Sequence, residues 1–419
     1  MIVLTFVAML KELTIKNWKS FESATLYVDP LTVLIGLNAS GKSNILDALT
    51  FLQRTVIYRD LHATLAGDRF LPEIRGGVDW TALRGNDSFE IEAKIADANS
   101  KTDYLYSIEI SLLKKELTTP VVKKESLQKL GKKTTNLFWT EPYELTQPFL
   151  TAKTYNRKAG SAQQVSNLNT VLSQIYASKV HEDVRKGVDL VFDTLKNIFI
   201  LDPIPQNARR YVSLEPDLAS DGSNIAGVIA SMTNGQKEEF EKTITKYASK
   251  LPEKEIKKVE ALRFGPFEKD AILVCEEEFV KGKTQKVDSR GLSDGTLRFL
   301  IILTAILTRP TGSLLVIEEF DNGIHPSRAG LLLNMLREEG LQRGVDVLVT
   351  THNPAFLNEM GTEMLPFVVL SHRDVDTGSS KLVQIEDLPN LTKLLGRGLV
   401  GDWVARGYLE EELSQLKQK

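Results

Sequence analysis

The chain has 419 residues, of which 42% are hydrophobic and 26% charged, and its net charge is −3. This length allows two or three domains, or one large domain with an insertion, and the composition is that of a folded protein. The charge balance excludes a protein-wide basic field for nucleic acid but leaves a local basic face open, and a single cysteine excludes an internal disulfide and fits a reducing cytosol.

The opening "MIVLTFVAML" is apolar, but it has no basic leader and no small-residue cleavage site, and Lys11 and Glu12 cut it short. We expect neither a signal peptide nor a membrane span there, and Met9 offers an alternative start. No other stretch reaches the roughly 18 uninterrupted apolar residues of a spanning helix, so a cytoplasmic protein without membrane contact is expected.

Strands are expected in "LKELTIKNW" and "SATLYV", which alternate, and in "LTVLIG", whose continuous apolar run suits a strand buried on both faces. "GLNASGKSN", residues 36–44, follows at once. A helix from about Ser43 then places Ile45, Leu46, Leu49 and Leu52 on one face. Strand, glycine loop and helix start form the context in which G-x-x-x-x-G-K-S is a phosphate site. Gly36 and Gly41 allow the tight turn, backbone N–H groups line an anion site, Lys42 bridges the β- and γ-phosphates, and Ser43 offers its hydroxyl to Mg²⁺. A glycine turn at a helix start is the plainer alternative.

Residues 88–113 read as a hairpin of alternating strands. From 114 to 265 the character changes to a lysine-rich piece followed by helical periodicity. Val184, Val188, Val191, Leu195 and Ile198 form one such run, and Phe240, Ile244, Tyr247 and Leu251 another. Each covers about two heptads, too short for a coiled coil, so a compact, mainly helical insertion is expected. Cys275 lies in the apolar run "AILVCEEEF" and reads as a buried inert thiol. A hairpin is expected over 271–287, helices over 292–309 and 327–343, and buried strands over 313–318 and 345–350.

Three further stretches carry chemistry. In "SLLVIEEFDNGIHP", 313–326, an apolar strand runs into Glu318 and Glu319. Ligand sites lie at the carboxyl ends of parallel strands, and two carboxylates there suit a metal and an attacking water. Glu318 would hold Mg²⁺ through water, and Glu319 would orient and deprotonate the nucleophile; two solvated glutamates at a strand end are the alternative. In "RGLSDGTLRFLIILTAIL", 290–307, Ser293 to Thr296 cap a long apolar helix and offer a second anion-binding helix start, or simple capping. In "VDVLVTTHNP", 345–354, His352 stands after a buried strand, where an imidazole can hydrogen-bond a γ-phosphate or the attacking water.

In this order the four stretches resemble the ABC-type ATPase superfamily. Gly36–Ser43 correspond to its Walker A loop, Leu292–Gly295 to the signature, Leu314–Glu319 to Walker B, Asp321–Pro326 to the D-loop and His352 to the switch histidine. "LTIKNWKSF" followed by "LTVLIGLNASGKSNILDAL" looks like the RecF/SMC-type soluble heads. "LSDGTLR", "IEEFDNGIHP", "TTHNP" and "EPDLASDGSNIAGVI" look most like AAA_21-type ATPases, relatives of the OLD and Septu ATPases of phage defence. The resemblance implies an α/β ABC-type head, a P-loop sheet flanked by helices with an antiparallel β-subdomain, carrying the mainly helical insertion. The head would comprise 1–113 and 266–419, and the insertion 114–265.

The resemblance also implies ATP and Mg²⁺ as ligands. ATP would contact Gly36, Asn38, Ala39, Ser40, Gly41, Lys42, Ser43 and Asn44, and Mg²⁺ would be held by Ser43 and Glu318. Lys42, Glu319 and His352 would be catalytic. In the superfamily the signature of one subunit caps the ATP of the other, so Ser293 and Gly295 would act in trans within a head-to-tail homodimer, with higher oligomers open. Lys19 would lie near the nucleotide. Two departures stand out: Glu318 replaces the usual aspartate, and no Q-loop glutamine can be placed, since Gln53 lies on the wrong helix.

The leading expectation is an ATP-gated sensor or clamp in anti-phage defence or DNA maintenance, with a nuclease or toxin as a separate effector chain. One alternative is a DNA-binding clamp using Lys114, Lys115, Lys123, Lys124, Lys129, Lys132 and Lys133. Another is an ATP-dependent nuclease, suggested by Asp374 and Asp376 in "HRDVDTG"; too few residues follow for a nuclease domain, and the stretch reads better as a hairpin turn.

Overall fold

The computed structural model describes residues 8–58, 60–69, 71–97, 102–114, 116–156, 160–250 and 255–416. Most of the apolar opening stretch, together with Lys115 and Leu251, lies outside the described residues. The chain forms two compact units. One comprises Met1–Phe199, Thr311–Leu314 and Val369–Gln384, and the other Ile200–Pro310, Leu315–Val368 and Ile385–Lys419.

The first unit is built on an eight-stranded sheet whose neighbouring strands all pair antiparallel. Its order is Phe21–Tyr27, Met9–Trp18, Ser88–Asp97, Thr102–Leu113, Thr119–Leu130, Thr135–Thr140, Phe149–Thr154 and Ser161–Ser166. Burial alternates strictly along Ser88–Asp97, so one face of the sheet is core and the other is wet. The core face packs on two helices, Lys42–Ile57 and Glu182–Lys196. Trp18, Phe51 and Phe89 meet there with ring centroids 4.8 to 5.8 Å apart. The expected valine–leucine face of the second helix is buried, and a Cβ on its Gly187 would stand 2.3 Å from Leu137 Cδ1. The strand Leu31–Ile35 is wholly buried and has Val368–Arg373 as a neighbour, which pairs antiparallel with Ser380–Gln384.

Residues 114–265 are mixed rather than mainly helical. Four strands over 119–166 extend the antiparallel sheet before the helices Val171–Tyr176, Glu182–Lys196, Ile225–Ser231 and Asn234–Ala248 appear. The strand Thr119–Leu130 lacks a clean period of two because its register slips between Val122 and Lys124. This bulge leaves the consecutive Lys123 and Lys124 both exposed. The next residue, Glu125, turns inward and is fully buried. Its carboxylate accepts from the N–H groups of Val171 (2.6 Å) and Leu172 (2.7 Å) and from the Tyr106 hydroxyl (3.0 Å). Burial pushes the Glu125 carboxyl up to about 7, against the downward pull of those donors.

In the second unit the strand Leu314–Ile317 lies between Ile198–Leu201 and Asp346–Thr351. A separate antiparallel sheet has Asp270–Val280 pairing with Val212–Ser213, Glu255–Phe264 and Lys283–Asp288. The expected hairpin at 271–287 is thus present, and Cys275 is buried in it. In this sheet Glu255–Phe264 carries the helices Ile225–Ser231 and Asn234–Ala248. The helix Asp294–Thr308 is buried continuously from Gly295 to Leu307, which explains its apolar run, and it packs on the helix Ala329–Arg343. Among the described residues no helix is long and apolar enough to cross a membrane.

Candidate nucleotide site

The phosphate loop belongs to the first unit and is shaped by backbone crowding. Gly36 has φ 151°, and a Cβ there would stand 2.2 Å from the Ser371 carbonyl oxygen. Gly41, at φ 115°, is the N-cap of the helix Lys42–Ile57, and a Cβ on it would meet Ser380 Oγ at 2.7 Å and Phe21 Cζ at 2.8 Å. Between them Ala39 also adopts the left-handed region, at φ 62°, which few non-glycine residues visit. Leu37, Asn38 and Ala39 are exposed, while Gly36, Ser40 and Gly41 are buried.

Side chains from the C-terminal hairpin and the first strands hold this shape. Ser371 Oγ donates to the Ser40 carbonyl (3.0 Å). The Ser380 N–H donates to the Ser20 carbonyl (2.7 Å), and the two serine hydroxyls are 2.8 Å apart. Asn44 is fixed at both ends: its amide donates to Ser20 Oγ and its carbonyl accepts from the Trp18 indole, each at 2.7 Å. Lys42 folds its ammonium onto the carbonyls of Gly36 (2.5 Å) and Leu37 (2.9 Å). The Ser40 hydroxyl is buried and has no hydrogen-bond partner among the described residues. A glycine-lined turn, an ammonium folded over it, an unmatched buried hydroxyl and Ser43 in the first helical turn suit a polyphosphate with its magnesium.

Lys19 contacts the helix that follows the loop. Its ammonium bonds Asp47 Oδ2 and the Arg75 carbonyl, each at 2.6 Å, and braces the helix one turn beyond Ser43. Burial lowers its pKa, with Asp47 opposing.

The second unit carries the signature and carboxylate stretches. Leu314–Ile317 are buried, Glu318 is half-buried and Glu319 is exposed. Glu319 has φ 45°, an uncommon conformation for a side-chain-bearing residue. Its N–H donates to Thr350 Oγ1 (2.9 Å), its carbonyl accepts from Arg298 Nη2 (2.8 Å), and its carboxylate accepts from Asn322 Nδ2 (2.5 Å). Ser293 caps the helix Asp294–Thr308 by accepting from the Thr296 N–H (3.1 Å). Asp294 is anchored by Arg209 (2.7 Å) and Gln206 (3.1 Å). A Cβ on Gly295 would stand 2.6 Å from the Gly323 carbonyl, so the signature glycine lies against the 321–326 segment. His352 is half-buried between the strand Asp346–Thr351 and the helix Pro354–Glu359, whose N-cap is Asn353.

In the second unit the helix that carries Ser293 and Gly295 is thus tied to the stretch of Glu318 and Glu319 through Arg298 and the approach of Gly295 to Gly323. The sequence alone does not single out Arg298, Thr350, Asn322, Ser371 or Ser380 as functional. Arg298 alone had a signal there, as the one charged residue inside the apolar run "GTLRFLIILTAIL".

The structure also bears on the two alternatives. Asp374 accepts from the N–H groups of Asp376 and Thr377 (3.0 Å each) and pairs with Lys381 (2.9 Å), so it builds a hairpin turn. Lys114 pairs with Asp87 and Lys123 with Glu109, which neutralises part of the lysine run.

The family described as "AAA domain, putative AbiEii toxin, Type IV TA system" (AAA_21) matches residues 31–358. No curated protein sequence matches the chain. Among solved structures it is similar to the SMC head domain from Thermotoga maritima, at 16% identity and TM-score 0.43 over 90% of this chain and 98% of that one. It is similar to an Smc head bound to the C-terminal winged-helix domain of ScpA, at 11% identity and TM-score 0.47 over 90% and 97%. A third is the Smc head with an extended coiled coil bound to the C-terminal domain of ScpA derived from Pyrococcus furiosus, at 11% identity and TM-score 0.47 over 93% and 99%.

Proposed function

Because this chain belongs to the AAA_21 family, we propose that it is an ABC-type, RecF/SMC-like ATPase that binds ATP and hydrolyses it as an ATP-gated dimeric sensor or clamp. The observation that carries this reading is the phosphate loop, in which Lys42 folds over a glycine turn whose two glycines tolerate no Cβ. Lys42 bridges the β- and γ-phosphates, and the loop from Gly36 to Asn44 cradles them with backbone N–H groups. Ser43 and Glu318 are the residues to hold magnesium, which when bound neutralises charge on the phosphate oxygens. Glu319 orients and deprotonates the attacking water, and His352 hydrogen-bonds the γ-phosphate or that water. Ser293 and Gly295 act on the nucleotide of a second copy, so the γ-phosphate stabilises a head-to-tail dimer that ADP cannot. The biological setting we propose is anti-phage defence or DNA maintenance, with a nuclease or toxin as a separate chain.

The test uses purified protein with ATP and Mg²⁺. Slow phosphate release and an ATP-dependent shift from monomer to dimer in analytical ultracentrifugation are expected, with ADP leaving the monomer in place. A protein that neither binds ATP nor changes mass with it would remove this reading.

A further inference from the structure

Glu319 is held in a conformation that its own side chain disfavours. A φ of 45° brings Cβ towards the neighbouring carbonyl, so a residue other than glycine stays there only when its surroundings over-determine it. The surroundings here are specific. On one side Arg298, 5% exposed, extends from one turn inside the signature helix. Its Nη1 donates to the Pro203 carbonyl (2.8 Å), and its Nη2 donates to the carbonyls of Glu319 (2.8 Å) and Glu318 (3.2 Å). These are carbonyls at the end of the strand Leu314–Ile317, beyond its last ladder residue. On the other side Thr350, 2% exposed, accepts the Glu319 N–H through Oγ1 (2.9 Å) and the Phe320 N–H through its carbonyl (3.1 Å). Phe320 is pinned in turn by an edge-on contact with Phe356, centroids 4.5 Å apart. The two peptide groups flanking the Glu319 Cα are therefore held at both ends, their carbonyls by the Arg298 side chain and their N–H groups by the Thr350 hydroxyl and carbonyl.

We infer that Arg298 and Thr350 are positioning residues that grip the Glu319 backbone from opposite sides and so aim its carboxylate. The inference rests on the catalytic role proposed above for Glu319. Neither residue touches the reacting atoms; each acts through Glu319. Burial lowers the Arg298 pKa, with the carboxylates of Asp202, Asp321 and Glu319 opposing, and its planar fork spans two backbone sites at once. A lysine presents a single ammonium and cannot span the Pro203 carbonyl and the 318–319 carbonyls in that geometry. The arrangement also ties the carboxylate to the helix that begins at Ser293, so a displacement of the signature end reaches Glu319 through one side chain.

The experiment compares R298K, T350V and T350S with the parent protein for ATP turnover, ATP affinity by fluorescent-analogue titration, and thermal stability. R298K and T350V are expected to lower kcat on the order of 10- to 100-fold, as small misplacements of a catalytic group do, with ATP affinity within about threefold of the parent. T350S keeps the acceptor oxygen and is expected to retain turnover within about threefold. Parent-level turnover in R298K and T350V would overturn the inference, as would losses of affinity that match the losses of kcat, or a T350S variant as slow as T350V. Should R298K fail to fold, the T350V and T350S pair decides alone. The E319Q variant keeps the two readings apart: unchanged turnover there sinks the catalytic role itself, whereas a slow E319Q beside a fast T350V sinks only the grip.

Discussion

At the phosphate loop the decisive positions are glycines, and the constraint is exclusion. The Ser371 carbonyl would lie 2.2 Å from a Cβ at Gly36, and Ser380 and Phe21 close on Gly41 in the same way. At the carboxylate end the decisive positions carry side chains, and the constraint is attachment. Glu319 keeps a left-handed φ because Arg298, Thr350 and Asn322 each hold one of its polar groups. The first region is a turn that the backbone defines, so it tolerates almost no change at its glycines. The second is a lever whose aim depends on distant side chains and can be adjusted by degrees. A loop of constant shape and a carboxylate of adjustable position would suit the ATP-gated clamp proposed above.

The largest effect is expected from Lys42→Ala, which removes the ammonium at the loop: turnover should fall by about 100-fold or more, and nucleotide affinity should fall with it. Phosphate-release kinetics and nucleotide titration check this. Gly36→Ala comes next and should cost about 3 kcal/mol in a denaturant-unfolding experiment, because the clash is with backbone rather than a flexible side chain.

The buried Glu125 of the first unit gives a pH-dependent effect of similar size. Its carboxyl titrates at about 7 in the folded protein, above its ordinary value of 4.5. Between those two pH values the folded state therefore binds more protons than the unfolded chain, and stability falls as pH rises through that window, by up to roughly 3 kcal/mol. Glu125→Gln should flatten that slope in unfolding measured across the window, while lowering stability at acid pH, because its amide would face the N–H of Val171 or Leu172. The smallest effect is expected at Lys123, whose partner Glu109 lies 2.7 Å away near the surface. Lys123→Ala should change stability by no more than about 0.5 kcal/mol.

The two regions also differ in how much of them the sequence reveals. The loop is readable because its constraints are local: a buried strand, two glycines, a lysine and a serine within a few residues. The hairpins at 88–113 and 271–287 and the buried strand ends at Ile317 and Thr351 are readable for the same reason, since period and turn residues are local signals. Ser371 is not readable, because its partner Ser40 lies 331 residues away. Thr350 looks like any other strand threonine until the Glu319 N–H is seen pointing at it. The strand Thr119–Leu130 is hard to read because the bulge at Lys123 breaks its alternation. Arg298 is the intermediate case, visible as an oddity in an apolar helix while its contacts with the 318–319 carbonyls are not.

The central claim is that Glu319 drives ATP turnover while the phosphate loop binds the nucleotide independently of it. The most direct measurement is steady-state phosphate release together with ATP affinity for the parent protein and Glu319→Gln. The account predicts slow turnover in the parent, a loss of about 100-fold or more in the variant, and ATP affinity unchanged within about threefold. Equal turnover in the two proteins would contradict it.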